Sequence, residues 1–243
     1  MLLNAKILLD QAWEIYKKRP RVFLGIMTFP VFASLLLTAF SLLGASLLRL
    51  ESAFFNALGL GMLMSSGVLT LGIIIIHLWS QTALLYAIKD REENIGIKES
   101  YRRGRNKIVS YFWISFLSGV VMAGGTLLFF VPGLVFFIWF SLASFVFISE
   151  NKKGWSALMA SKEYVKGNWR AVFWRFIFIG VISWLFFYLL TVLASFAAIS
   201  GTVKIIGYGL LTPMVTIYLF LIYENLKKLH LSGSEAQNIE TKK

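Results

Sequence analysis

His77 and Gln81 stand four residues apart in an uncharged stretch, 52–88, and Ser66 and Thr70 fall on a similar helical face. An imidazole can exchange a proton near neutral pH, and the amide and hydroxyls can give or accept hydrogen bonds. Inside a bilayer such groups turn toward the bundle interior and mark ligand pathways. They serve equally as interhelical hydrogen-bond partners worth about 0.6–2 kcal/mol each. No Asp or Glu lies deep in an apolar run. A proton relay or a carboxylate–histidine metal site is therefore not expected, and His77 lacks the partner that would make it a general base. His230 and Glu235 have the spacing of an acyltransferase-like pair, but they lie in a polar tail with no fold around them. Glu224 and Arg175 flank apolar runs at the same end and either pair or snorkel separately. With no cysteine, disulfides and thiolate metal sites are excluded. The reading assigns no catalytic residue, no metal and no cofactor.

The elements that hold these groups are membrane helices. The chain is 58% hydrophobic and only 15% charged, far from a soluble domain. Residues 108–149 carry no charge, enough for two crossings of about 20 residues each with a very short turn between them. Pro132-Gly133 is the favoured turn and Gly124-Gly125 the alternative. Further spans are predicted over 22–48, with a kink at Pro30, over 66–89, 171–199 and 205–223, the last containing Pro213. Residues 54–64 read as an irregular or interfacial lead-in, and Lys204 as part of a loop. The fold class is all-α: a six-span polytopic membrane domain over 1–230 with a disordered tail, 231–243.

Polar segments precede the odd-numbered spans. In 5–18, Ala5, Leu8, Leu9, Ala12, Ile15 and Tyr16 share one helical face, as in an interfacial helix. The first twenty residues have no apolar core or cleavage site of a signal peptide. Segment 89–107 and the basic segment 150–170 repeat the pattern. In the latter, Lys162 and Lys166 intrude on a face with Trp155, Leu158, Met159, Val165 and Trp169, so snorkelling is required. Aligning Lys18, Gly104 and Gly167 suggests three hairpins related by a rotation about the membrane normal. Any positive-inside protein alternates basic and apolar segments, so the pattern alone does not establish the repeat. Small-residue stripes at Ser115, Gly119 and Ala123, and at Ala194 and Ala198, suit close helix packing. Trp155, Trp169 and Trp174 suit headgroup anchoring.

Of the 24 Lys and Arg residues, only Arg49 and Lys204 fall on the side opposite the termini. That excess puts both termini in the cytoplasm of a cell (inner or plasma) membrane. The net charge of +12 then belongs to a belt facing anionic headgroups, not nucleic acid. Candidate lipid contacts are Lys17, Lys18, Arg19, Arg102, Arg103, Arg105, Lys152, Lys153 and Lys166.

The runs LFFVPGLVFFIWF (128–140) and GWSALMASKEYVKGNWR (154–170), with AWEIYKKRP (12–20) and IKESYRRG (97–104), resemble the glycerophosphoryl diester phosphodiesterase membrane-domain family and its uncharacterised relatives. The resemblance implies an all-helical membrane domain. The longest polar stretches are about 20 residues, too short for the catalytic barrel that some relatives append. No phosphodiesterase activity is therefore carried over. The expected function is a non-enzymatic membrane-organising or lipid-interacting module, with a protein partner or a second copy as possible associates. The second reading is a small-molecule or lipid transporter with its site near His77 and Gln81.

Overall fold

A computed structural model describes residues 2–50, 52–128, 130–195 and 200–240, without the side chains of 128, 130, 200 and 233–240. It is an all-α polytopic membrane fold with six helical spans and no strand among the described residues. The order is α1 (Ala5–Lys18), α2 (Pro20–Leu47), α3 (Ala53–Lys89), α4 (Ile97–Arg105), α5 (Ile108–Leu128), α6 (Phe130–Phe140), α7 (Ala143–Glu150), α8 (Trp155–Lys166), α9 (Trp169–Ser195) and α10 (Ser200–Glu240). A short 3-10 turn, Arg91–Glu93, joins α3 to α4.

Three times the chain makes a short helix and then a hairpin of spans. Each short helix packs on the second span of the preceding hairpin: α4 on α3, α8 on α6 and α7. The first, α1, packs on α10 and so closes the ring. The buried faces of these helices use small residues where they meet a span. Ala12, Ser100, Gly104, Ala157 and Ser161 are all buried. A Cβ on Gly104 would lie 3.0 Å from the backbone of Ala83 in α3. The first junction is sharp because Pro20 opens α2, which pushes Arg19 off helical geometry (φ −140°).

The core is polarised along the membrane normal. The largest fully buried side chains, among them Leu8, Phe23, Leu84, Phe147, Leu158, Tyr218 and Tyr223, all sit toward the basic end. The apolar stretches of α3 and α9 that cross the membrane are by contrast only 6% buried.

Several expectations are corrected. The lead-in 54–64 is helix, because α3 runs without a break from Ala53. No charge and no proline interrupts it, and extending an existing helix adds a hydrogen bond per residue. Pro132 and Gly133 are not the turn but the start of α6, where proline's missing N–H costs nothing. Residue 129, between α5 and α6, lies outside the described residues. Gly133 serves packing: a Cβ there would lie 2.8 Å from the Thr126 backbone, and one on Gly125 would lie 3.1 Å from the Gly133 Cα. Gly124 and Gly125 lie within α5. The Ser115–Gly119–Ala123 stripe makes no such approach, since nothing lies within 4 Å of a Cβ on Gly119. Ala194 is buried, and Ala198 lies outside the described residues. Lys204 stands inside α10, not in a loop, and α10 continues through 231–240, read from sequence as disordered tail.

The fourth span is broken between α6 and α7 at Ser141 and Leu142. A broken helix in a membrane must satisfy the carbonyls it frees. The buried Ser161 hydroxyl of α8 donates to the Trp139 carbonyl at 2.6 Å. Beside it, the Lys162 ammonium lies 4.6 Å from the centre of the Trp139 ring. The segment 155–166 is thus a plug against the break, and Lys162 is satisfied by an indole face rather than by snorkelling. Ser161→Ala should lower stability by about 1–2 kcal/mol. Unfolding in mixed micelles measures this, with Ser156→Ala, an exposed hydroxyl bonded to the Lys153 carbonyl, as the near-neutral control.

Candidate functional site

Lys204, Tyr208, Thr212 and Thr216 recur every fourth residue down α10 and so share one face. Opposite them α3 presents His77 and Gln81, one turn apart, and α9 presents Ser183, Phe187 and Thr191. Two cavities lie along this seam. The larger, about 700 Å³, is lined by Ser34, His77, Trp184, Phe187, Tyr188, Thr191, Lys204, Ile205 and Tyr208. The smaller, about 340 Å³, is lined by Gln81, Ser183, Phe187, Tyr208, Leu211, Thr212, Val215 and Thr216. Phe187 and Tyr208 line both. The His77 ring stacks on Tyr208, 6.1 Å between centres and 6° from parallel. Its Nδ1 is buried without a hydrogen-bond partner. Such an orphan costs about 1–3 kcal/mol unless a ligand or water meets it.

Two glycines hold Tyr208 in this wall. A Cβ on Gly207 would lie 3.5 Å from the Phe186 ring of α9, and one on Gly209 would lie 3.8 Å from the Met27 Cβ of α2. In both cases a still closer methyl, of Leu190 and Val31 respectively, stands in the way. Glycine therefore lets α10 approach both neighbours at the level of Tyr208. The hydroxyls along the seam donate to their own helices: Thr191 to Phe187, Ser183 to Ile179, Thr212 to Tyr208 and Thr216 to Thr212, at 2.7–2.8 Å. Their lone pairs remain to accept from a ligand.

Of the four residues expected here from sequence, His77 and Gln81 line the cavities but Ser66 and Thr70 do not. Their hydroxyls bond to the carbonyls of Leu63 and Ser66, higher on α3. The four-residue spacing from Lys204 to Thr216 was the readable signal that sequence reasoning missed.

The basic belt divides in two. Arg19 is turned inward, donating to the carbonyls of Arg91 (3.2 Å) and Ile95. Arg103 binds Asp90, Glu93 (2.8 Å) and Glu99 (3.0 Å). Arg102 also reaches Glu99, at 2.9 Å, and Lys152 reaches Glu150, at 3.0 Å. These four engage acidic side chains or chain-end carbonyls of the protein itself, and of them Arg102 keeps 77% of its side chain exposed. Lys17 lies over the Trp13 ring, 5.2 Å from its centre. Lys18, Arg105, Lys153 and Lys166 are exposed, with no ion pair among the described residues.

Glu224 does not pair with Arg175. It receives both Arg91 nitrogens at 3.1 Å, while Arg175 donates to the Leu3 carbonyl at 2.9 Å and the Ala171 carbonyl at 2.6 Å. Glu150 accepts from the phenols of Tyr164 (2.8 Å) and Tyr223 (2.7 Å). Burial, and then that carboxylate, push the Tyr164 phenol above its ordinary range. His230 packs edge-on against Tyr164, 5.3 Å between centres, and the side chain of Glu235 lies outside the described set. Among the described residues no group of three His, Cys, Asp or Glu is placed to hold a metal.

The Glu99 carboxyl is held below its usual 4.5, chiefly by Arg103 and then by Arg102. A lowered folded value means the contact contributes in full above pH 4.5 and is lost as pH falls through that lowered value. The protection of amides in Ile97–Arg105 relative to their intrinsic exchange rate at each pH should therefore fall on acidification below pH 4.5, and Glu99→Gln should remove that component. Unchanged protection across this range would contradict the assignment.

No family model, curated protein or solved structure matches this chain.

Proposed function

We propose that this is a non-enzymatic, lipid-interacting membrane protein that draws an amphiphile with an anionic head into the cavity between α3, α9 and α10. The reading rests on one observation: a 700 Å³ cavity between three spans, lined by both Lys204 and His77. The volume lies within the range of ligand sites, about 300–1,000 Å³. The aromatic rings of Trp184, Tyr188 and Tyr208 suit the boundary between chains and headgroups. No carboxylate stands among the lining residues, so His77 has no partner for acid–base work and acts as a binding group. This brings together the lipid-interacting and the transporter expectations at one site.

The orientation follows from charge. With only Arg49 and Lys204 opposite the belt, both termini lie in the cytoplasm of a cell (inner or plasma) membrane, and the cavity faces the outer leaflet. Lys18, Arg105, Lys153 and Lys166 remain free to meet anionic cytoplasmic headgroups or an acidic face of a protein partner or second copy. The resemblance to the membrane-domain family is compatible with such a role and lends no activity to it.

Mass spectrometry of the full chain released with its native lipids tests the cavity. One anionic amphiphile in near-stoichiometric amount is expected, falling several-fold in Lys204→Ala and in His77→Ala. A bulk lipid mixture insensitive to both changes would remove the reading. For the belt, neutralising Lys18, Arg105, Lys153 and Lys166 together should flatten the salt dependence of anionic-vesicle binding by the solubilised chain.

A further inference from the structure

The second cavity has a chemistry of its own. It shares Phe187 and Tyr208 with the first and reaches Thr216 on α10. From Lys204 to Thr216 the seam runs about 18 Å along that helix, over half of a hydrocarbon core of roughly 30 Å. Its floor is the buried layer that contains Ile217, Tyr218 and Ile222. It carries no charged side chain. Three hydroxyls, of Ser183, Thr212 and Thr216, have spent their protons on carbonyls of their own helices and offer only lone pairs. Gln81 adds an amide, whose carbonyl accepts and whose NH2 donates, and Tyr208 adds a phenol. With no cation in it, such a lining leaves an anion uncompensated and suits a neutral hydroxyl, which donates to the oxygens and accepts from the amide.

Building on the proposed amphiphile site, we propose that this chamber is its inner compartment, that Tyr208 and Phe187 form the partition between the two, and that it selects amphiphiles whose heads carry hydroxyl groups beyond the anionic one. The anionic group stays at Lys204, and the hydroxyls reach past Tyr208 toward Gln81 and Thr212. The backbone around the partition is built to yield. Gly207, Gly209 and Pro213 fall within seven residues of α10, and proline leaves the Gly209 carbonyl without its helical donor. The outer part of α10, with Lys204 and Tyr208, can bend there while Tyr218 and Tyr223 stay fixed in the core.

Two measurements test this on the full chain. In the first, delipidated protein is titrated with phosphatidylglycerol and with phosphatidic acid, which share an anionic phosphate but differ in head-group hydroxyls. The native chain should bind phosphatidylglycerol at least five-fold more tightly. Gln81→Leu with Thr212→Val should erase that preference while leaving phosphatidic acid binding unchanged. Equal affinity of the native chain for both lipids overturns the chamber's role but leaves the outer site standing. Failure to bind either lipid overturns the outer site and this inference with it. In the second, the absence of cysteine allows a unique thiol at Thr212→Cys. Its reaction with a small water-soluble thiosulfonate should rise at least ten-fold when Tyr208→Ala is added, with Leu193→Cys on the exposed face of α9 as the insensitive control. The same rate with and without Tyr208, whether fast or slow, removes the partition.

Discussion

At its basic end α10 offers Tyr223 to Glu150 and, on the next residue, Glu224 to Arg91. These two contacts gather most of the protein. Glu150 ends the fourth span and also takes Tyr164 of α8, Lys152 and Lys227. Arg91 stands in the turn after α3, and its carbonyl receives Arg19 from the α1–α2 junction. One helix end thus ties together the second spans of all three hairpins. Only at the membrane edge does water leave such polar contacts affordable, since deep in hydrocarbon the desolvation of the ions would dominate. The charged clasp and the buried core therefore coincide, and both sit where the sequence concentrates its Lys, Arg, Asp and Glu.

A clasp at one end leaves the other end open. Above the buried layer, side chains such as Val68, Trp184 and Leu193 are exposed, and the seam of α3, α9 and α10 widens into cavities. The closed end supplies a rigid floor, and at the other end the cavities stand open. Association of membrane helices has no hydrophobic drive of its own, so the spans stay apart wherever small residues or polar contacts do not draw them together. Gly44 against Gly59 and Gly207 against α9 are such points.

The class of fold, the number of spans and the three amphipathic connectors were legible because bilayer thickness and charge placement act directly on sequence. The break at Ser141 and Leu142 was not, because its carbonyl partner, Ser161, is twenty-two residues away from Trp139 and is joined to it only by tertiary packing. The fate of Arg19 and Arg103 was hidden for the same reason: a cation facing lipid and one facing Asp90 look alike in a sequence. In the site, His77 and Gln81 stood out as the polar pair of an apolar run. Lys204 was misassigned to a loop, and with it went the four-residue rhythm that ends at Thr216. Pro132 was misread because proline opens helices as readily as it turns chains.

The hairpins differ in length. As helix, α3 is about 55 Å long and α5 about 32 Å. A bilayer that matches the second is too thin for the first held upright. A core of about 30 Å already suits α5, so α3 must tilt, thicken the bilayer beside it or carry its first turns out beyond the hydrocarbon.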